Sequence, residues 1–101
     1  MAPSAIGATK MDGTVTDNAA RRRFELEEQG EVAFASYRRE GDIVTIPHVE
    51  APEAMRGKGS AGRLMQGVVA MARAQGFKIS PRCPYAAAWF RRHPEAADVL
   101  A

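Results

Sequence analysis

The chain of 101 residues holds one cysteine and one tryptophan, and its aromatic content is only 7%. A lone Cys83 can form no internal disulfide, so a reducing compartment, the cytoplasm, is the expected setting. No stretch approaches the roughly eighteen consecutive apolar residues that a membrane helix needs, and no membrane partner is expected. The opening MAPSAIGATK lacks the basic-then-apolar order of a secretory signal. Being small and polar, residues 1–18 read as a disordered tail ahead of one domain over residues 19–101. Hydrophobic residues make up 46% of the chain, yet 19 of its residues are alanine. Such a composition fills one two-layer core and leaves no room for a large internal chamber, so a ligand should lie in a surface groove.

What is present is an uneven distribution of charge. Residues 1–55 carry 6 basic and 10 acidic side chains, whereas residues 56–101 carry 8 basic and 2 acidic ones. A positive half suits a polyanion, either a nucleic acid or a multiply phosphorylated small molecule, or is simply a solvated surface.

Two-residue periodicity begins at Arg21. Phe24 and Leu26 alternate with Arg23, Glu25 and Glu27, which predicts a half-buried strand. Glu28-Gln29-Gly30 is a turn. In the next run Val32 and Phe34 share one face, and Ala33, Ala35 and Tyr37 the other. After Glu40-Gly41-Asp42, Ile43–Val49 forms a third strand with apolar residues on both faces. Short turns between the three predict an antiparallel meander. Pro47 cannot donate a ladder hydrogen bond, so the third strand must lie at an edge or bulge there.

Leu64, Met65, Val68, Val69 and Ala72 recur at helical spacing, and Gly76 supplies a C-terminal stop. Phe77–Ser80 then reads as a short strand, returning parallel beside the third. Pro84–His93 reads as a second helix with proline at its first position, and it ends before Pro94. The fold class is α+β: a three-stranded meander, a helix, a parallel fourth strand and a C-terminal helix.

Gly57, Gly59 and Gly62 stand where the loop becomes the first helix. Glycine lets a backbone approach a ligand closely, and the free N–H groups of a helix start form an anion site. Arg56 and Lys58 add charge at its rim. The run Arg56-Gly57-Lys58-Gly59-Ser60-Ala61 has neither P-loop nor dinucleotide-fingerprint spacing; a flexible strand–helix connector is the plainer reading.

An Arg-x-x-Gly-x-Gly/Ala run after a strand and opening a helix resembles the acetyl-CoA pyrophosphate loop of GCN5-related N-acetyltransferases. Here it is Arg56, Gly59 and Ala61. The chain is most similar to the minimal, single-domain branch of that superfamily. The shared motifs are Arg23–Leu26, His48–Glu50, Pro52–Glu53, Arg56–Gly59, Pro81–Pro84 and Arg92–Glu95, spread from about Asn18 to Leu100. It departs from that branch at Pro47 and Val49, both more often threonine, and at Ala51, more often valine. The resemblance implies a fold that binds acetyl-CoA (coenzyme A) as cosubstrate. Arg56, Gly57, Lys58, Gly59, Ser60 and Ala61 would hold the pyrophosphate, and pantetheine would run in an opening between the third and fourth strands.

Acetyl transfer to an amine needs a base, because the attacking nitrogen must be neutral, and a proton for the leaving thiolate. His48 and Glu50 alternate on one extended segment before the loop and could act together; His48 could equally be a half-buried strand residue bonded to backbone. Cys83 lies between two prolines and opens the second helix, where a helix N-terminus favours thiolate. It could take the acetyl group or protonate the departing thiolate, against the alternative of an inert buried cysteine. Trp89 and Phe90 read as core, His93 as a cap, and Arg82, Arg91 and Arg92 as part of the cationic half. No metal site is expected.

Three functions compete on this reading. The first is an acetyl-CoA-dependent N-acetyltransferase acting on an amine of a protein or small molecule. The second is a CoA-binding protein of the same fold with little catalysis. The third, a nucleic-acid binder, lacks aromatics interleaved with its basic residues, so no nucleic-acid partner is expected. The chain is expected to act as a monomer or weak homodimer.

Overall fold

A computed structural model describes residues 14–101. Five strands form one sheet in sequential order: β1 (Val15–Asn18), β2 (Arg23–Glu28), β3 (Glu31–Glu40), β4 (Ile43–Glu50) and β5 (Lys78–Pro81). The first four pair antiparallel, and β5 returns parallel to β4 after helix α1 (Ser60–Gln75). Helix α2 (Pro84–Arg92) follows, then a 3-10 segment over Pro94–Val99. The expected α+β order stands, with one strand more.

That strand corrects the expected boundary. Val15–Asn18, placed by the sequence in a tail ending at residue 18, pairs along β2 from Val15↔Leu26 to Asn18↔Arg23. The rest of that tail, residues 1–13, lies outside the described residues. Val15 fits over Gly67 of α1, where a Cβ would overlap the valine side chain. Four residues with a single hydrophobe carry no periodic signal, so only this notch on a helix fifty residues away marks the strand.

Both helices cover the same face of the sheet. Leu64, Met65, Val68, Val69 and Ala72 of α1 are all buried, as their spacing predicts. They meet Phe24, Leu26, Ala33, Ala35, Val44, Ile46 and Ile79 from the sheet, and Ala86, Trp89 and Phe90 from α2, in one core. Gly76 ends α1 at φ 84°, a left-handed value that favours glycine. Proline opens α2, and His93 caps its end: Nδ1–H donates to the Trp89 carbonyl at 2.7 Å while the ring stacks on the indole at 4.0 Å.

The opposite face of the sheet carries Glu25, Phe34, Ser36, His48 and Glu50, as the register of β2–β4 dictates. Glu25, expected on the solvent side of β2, is buried there. Arg23 Nε donates to its carboxylate at 2.6 Å and Asn18 Nδ2 at 3.1 Å, and the guanidinium in turn lies 4.4 Å from the Phe34 ring centre. Burial of the carboxylate is thus matched by charge-assisted hydrogen bonds.

Candidate acyl-transfer site

Pro47 creates the first element of the site. Ser36 pairs with His48 and Arg38 with Thr45, so Ile46 and Pro47 together oppose the single Tyr37. This is a β-bulge against β3, and the pairing with β5 stops just before Pro47, so both alternatives left by the sequence meet at this residue. The extra residue reverses the side-chain alternation. Ile46 and Val49, three apart, both turn to the core side, while His48 and Glu50 turn to the open face.

The same point is where two parallel strands separate. β5 follows β4 only from Ile43↔Lys78 to Ile46↔Pro81. The Ile46 carbonyl then accepts two N–H groups, from Arg82 at 2.9 Å and Cys83 at 3.0 Å, and turns the chain away into α2. Beyond Ile46, Pro47–Glu50 runs on without β5 beside it. A V-shaped split results, with Cys83 at its vertex. The cysteine is buried and is the residue preceding the first turn of α2.

The glycine loop follows β4 and shares a groove with Ala51, just past that strand, and with Tyr85, two residues after Cys83. After Pro52, a 3-10 turn over Glu53–Met55 buries Met55, and Arg56 follows in extended geometry with Nε donating to the Ala51 carbonyl at 3.2 Å. Gly57 and Gly59 both take left-handed φ, 78° and 80°, and Gly59 stands at the N-cap of α1. The usual cap is Ser, Thr, Asp or Asn, whose side-chain oxygen occupies one of the first amides. Glycine offers no such oxygen. The first helical hydrogen bond runs from Arg63 N–H to the Gly59 carbonyl at 3.0 Å, so the N–H groups of Ser60, Ala61 and Gly62 precede any helical acceptor. These three residues line a shallow groove of about 250 Å³ together with Ala51, Arg56, Gly57 and Tyr85.

The six loop residues do not all share that groove. Lys58 lines the neighbouring cavity of about 410 Å³ with Glu28, Glu31 and Arg63. The Ser60 hydroxyl is buried and turned away from the groove, donating to Glu28 Oε1 at 2.6 Å. The Ser60 hydroxyl is thus already engaged by Glu28.

His48 and Glu50 are brought together: Nε2 donates to Glu50 Oε1 at 2.9 Å, and both side chains are more than half exposed. Among the described residues, the partner of His48 is thus the Glu50 carboxylate and not the backbone. Among the described residues no hydrogen bond joins this pair to Cys83, so the three expected catalytic residues form two groups, one at the vertex and one on the open face.

Three side chains were not singled out by sequence reasoning. Tyr85, in the first turn of α2, has its hydroxyl 3.8 Å from where a Cβ on Gly62 would stand, and burial pushes its pKa up, keeping the phenol protonated. Glu28 and Arg63 are the others. Arg63 Nε donates to Glu28 Oε2 at 2.7 Å and Nη2 to Oε1 at 2.8 Å. With hydrogen bonds from Arg63 first and Ser60 second, the Glu28 pKa falls from 4.5 to about 2. Because the folded value lies below the unfolded one, this stabilisation is present above about pH 4.5 and is lost as pH falls toward 2. Acid titration of Glu28→Gln should lack that part of the loss seen in the wild type; identical acid-unfolding curves would contradict the assignment. Only Tyr85 had a local signal, its place after the Pro-x-Cys-Pro motif; Glu28 and Arg63 are 35 residues apart.

The family model described as GCN5-related N-acetyl-transferase matches residues 23–99, most of the chain. The chain belongs to the GCN5-related N-acetyltransferases. A GCN5-like protein from Staphylococcus aureus, solved by NMR in solution, has a similar fold: TM-score 0.69, 21% identity, and 91% of each chain covered. No curated protein sequence matches the chain. Trp89 and Phe90 lie in the core as expected, and Arg82, Arg91 and Arg92 are exposed.

Proposed function

We propose that this acetyltransferase moves the acetyl group of acetyl-CoA to the nitrogen of an amine on a protein or small molecule. The observation that supports this most is the glycine-capped start of α1, whose first three residues line a groove with Ala51, just past β4, and Tyr85, just past Cys83. Amides and helix dipole would hold the diphosphate, with Arg56 at the rim. Pantetheine would then lie along the split, bringing the thioester to the vertex beside Cys83.

The chemistry follows from that placement. A neutral amine nitrogen attacks the thioester carbonyl, a C–N bond forms and the C–S bond breaks. The amine proton passes to the His48–Glu50 pair, directly or through water, and the departing thiolate takes a proton from Cys83 or from the phenol of Tyr85. A variant has Cys83 accept the acetyl group first and pass it to the amine. The lone cysteine fits a reducing cytoplasm, where its thiol would persist.

Turnover of acetyl-CoA against a panel of amines and basic peptides tests the reading. His48→Ala and Cys83→Ala should each slow transfer by about a hundredfold, the scale of a lost acid or base. Wild-type CoA binding without any transfer would instead support a binding protein of this fold. Transfer at the wild-type rate in both variants would remove these residues from the mechanism.

A further inference from the structure

Glu28 poses a problem for a diphosphate site. It is an anion placed against the first turn of α1, where the helix dipole already favours negative charge. An ionised carboxylate there competes with a diphosphate for the same potential and repels it across a short distance. Its position is nevertheless built with care. The β2–β3 turn has Gln29 at φ 52° and Gly30 at φ 81°, two successive left-handed residues of the kind that tight hairpins require. They set Glu28 on the helix side of β2, opposite Glu31. From there its two oxygens receive three hydrogen bonds from residues 60 and 63.

Arg63 accounts for both facts. Its guanidinium forks onto both oxygens of Glu28, and Nη2 also lies 3.2 Å from the Ser60 hydroxyl, closing a three-residue ring. The fork matches charge to charge in the bidentate geometry that arginine provides and lysine does not. Nη1 stands 3.1 Å from where a Gly59 Cβ would be, so the same guanidinium supports the cap residue. The groups around it from every side are Glu28 and Glu31 of the hairpin, Lys58 of the loop and Ser60 of the helix.

The geometry points to Glu28 and Arg63 as a positioning pair for the cofactor loop: Glu28 ties the hairpin to the first turn of α1, and Arg63 cancels its charge so that a diphosphate is not repelled. This rests on the reading of that loop as the CoA site. Neither residue touches the reacting atoms. The pair divides the loop's charges into a neutral buckle facing the hairpin and the guanidinium of Arg56 lining the groove.

CoA titrations of the full chain test the pair, followed by calorimetry and by NMR shifts of the Gly59–Gly62 amides. Arg63→Ala leaves Glu28 as an uncompensated anion, and CoA affinity should fall about tenfold at low salt, less at high salt. Adding Glu28→Gln to Arg63→Ala should restore affinity to within about threefold of wild type, because the repelling charge is gone. A purely structural contact predicts the reverse, with the double variant at least as impaired as the single one. Arg63→Lys, which keeps the charge and loses the fork, should fall between, and it stands in if Arg63→Ala does not fold. Wild-type affinity in Arg63→Ala, or a double variant no better than the single, overturns the pair while leaving the loop as the site. If wild-type protein binds CoA without shifting the Gly59–Gly62 amides, the loop reading fails and the pair with it.

Discussion

Gly59→Val abolishes CoA binding and leaves a folded domain: this is the expected outcome at the cap of α1. Gly59 holds φ 80° and ψ 10°, a left-handed conformation that costs a residue bearing a Cβ about 1–2 kcal/mol. A branched side chain adds to that cost. A Cβ at this position would head toward Arg63 Nη1, 3.1 Å away. Loss of binding therefore comes from backbone relaxation that re-aims the Ser60–Gly62 amides and from displacement of the Glu28–Arg63 fork, not from a side chain filling the phosphate position. Thermal stabilisation by CoA should vanish, while the circular-dichroism spectrum stays that of wild type. Undiminished CoA binding by this variant would mean that the diphosphate is held elsewhere.

Gly67→Ala should destabilise the protein by about 1–3 kcal/mol, the range for overpacking a close contact, although alanine is intrinsically the better helix former by about 1 kcal/mol. Any Cβ at residue 67 overlaps the Val15 side chain. The strand must move off the helix, and its pairing with β2 loosens from Val15↔Leu26 onward. Urea unfolding measures the loss, and hydrogen exchange at the β1–β2 amides locates it. Combining the change with Val15→Gly removes the overlap and should recover part of the stability. An increase in stability in Gly67→Ala alone would show that β1 does not dock on α1.

These two glycines differ in how visible their roles were. Gly59 stands inside an Arg-x-x-Gly-x-Ala run whose spacing announces a loop entering a helix, and its positive φ is the property such a run requires. Gly67 is one glycine in the middle of a helical pattern, and the sequence offers nothing to separate it from a weak point in that helix. Its meaning lies in Val15, a residue assigned to a tail because a single hydrophobe among Thr, Asp and Asn has no period. The candidate site divides in the same way. His48 and Glu50 share a face because residues two apart in a strand must, whereas which face that is depended on the bulge at Ile46–Pro47. Proline announced an irregularity there; the pairing of Ser36 with His48 decided that it was a bulge.

Local patterns by themselves determined much of this acetyltransferase. The apolar stripe of α1, its stop at Gly76, the proline that opens α2, the alternation in β2 and the glycine loop all rest on interactions within a few residues, where backbone geometry and side-chain period act directly. Only the tertiary structure decided that Val15–Asn18 joins the sheet, that Glu25 is buried, that Cys83 sits apart from His48 and Glu50, and that Glu28 is buckled by Ser60 and Arg63. Each of those depends on which surfaces meet across the core, through contacts between residues far apart in the chain that no local pattern encodes.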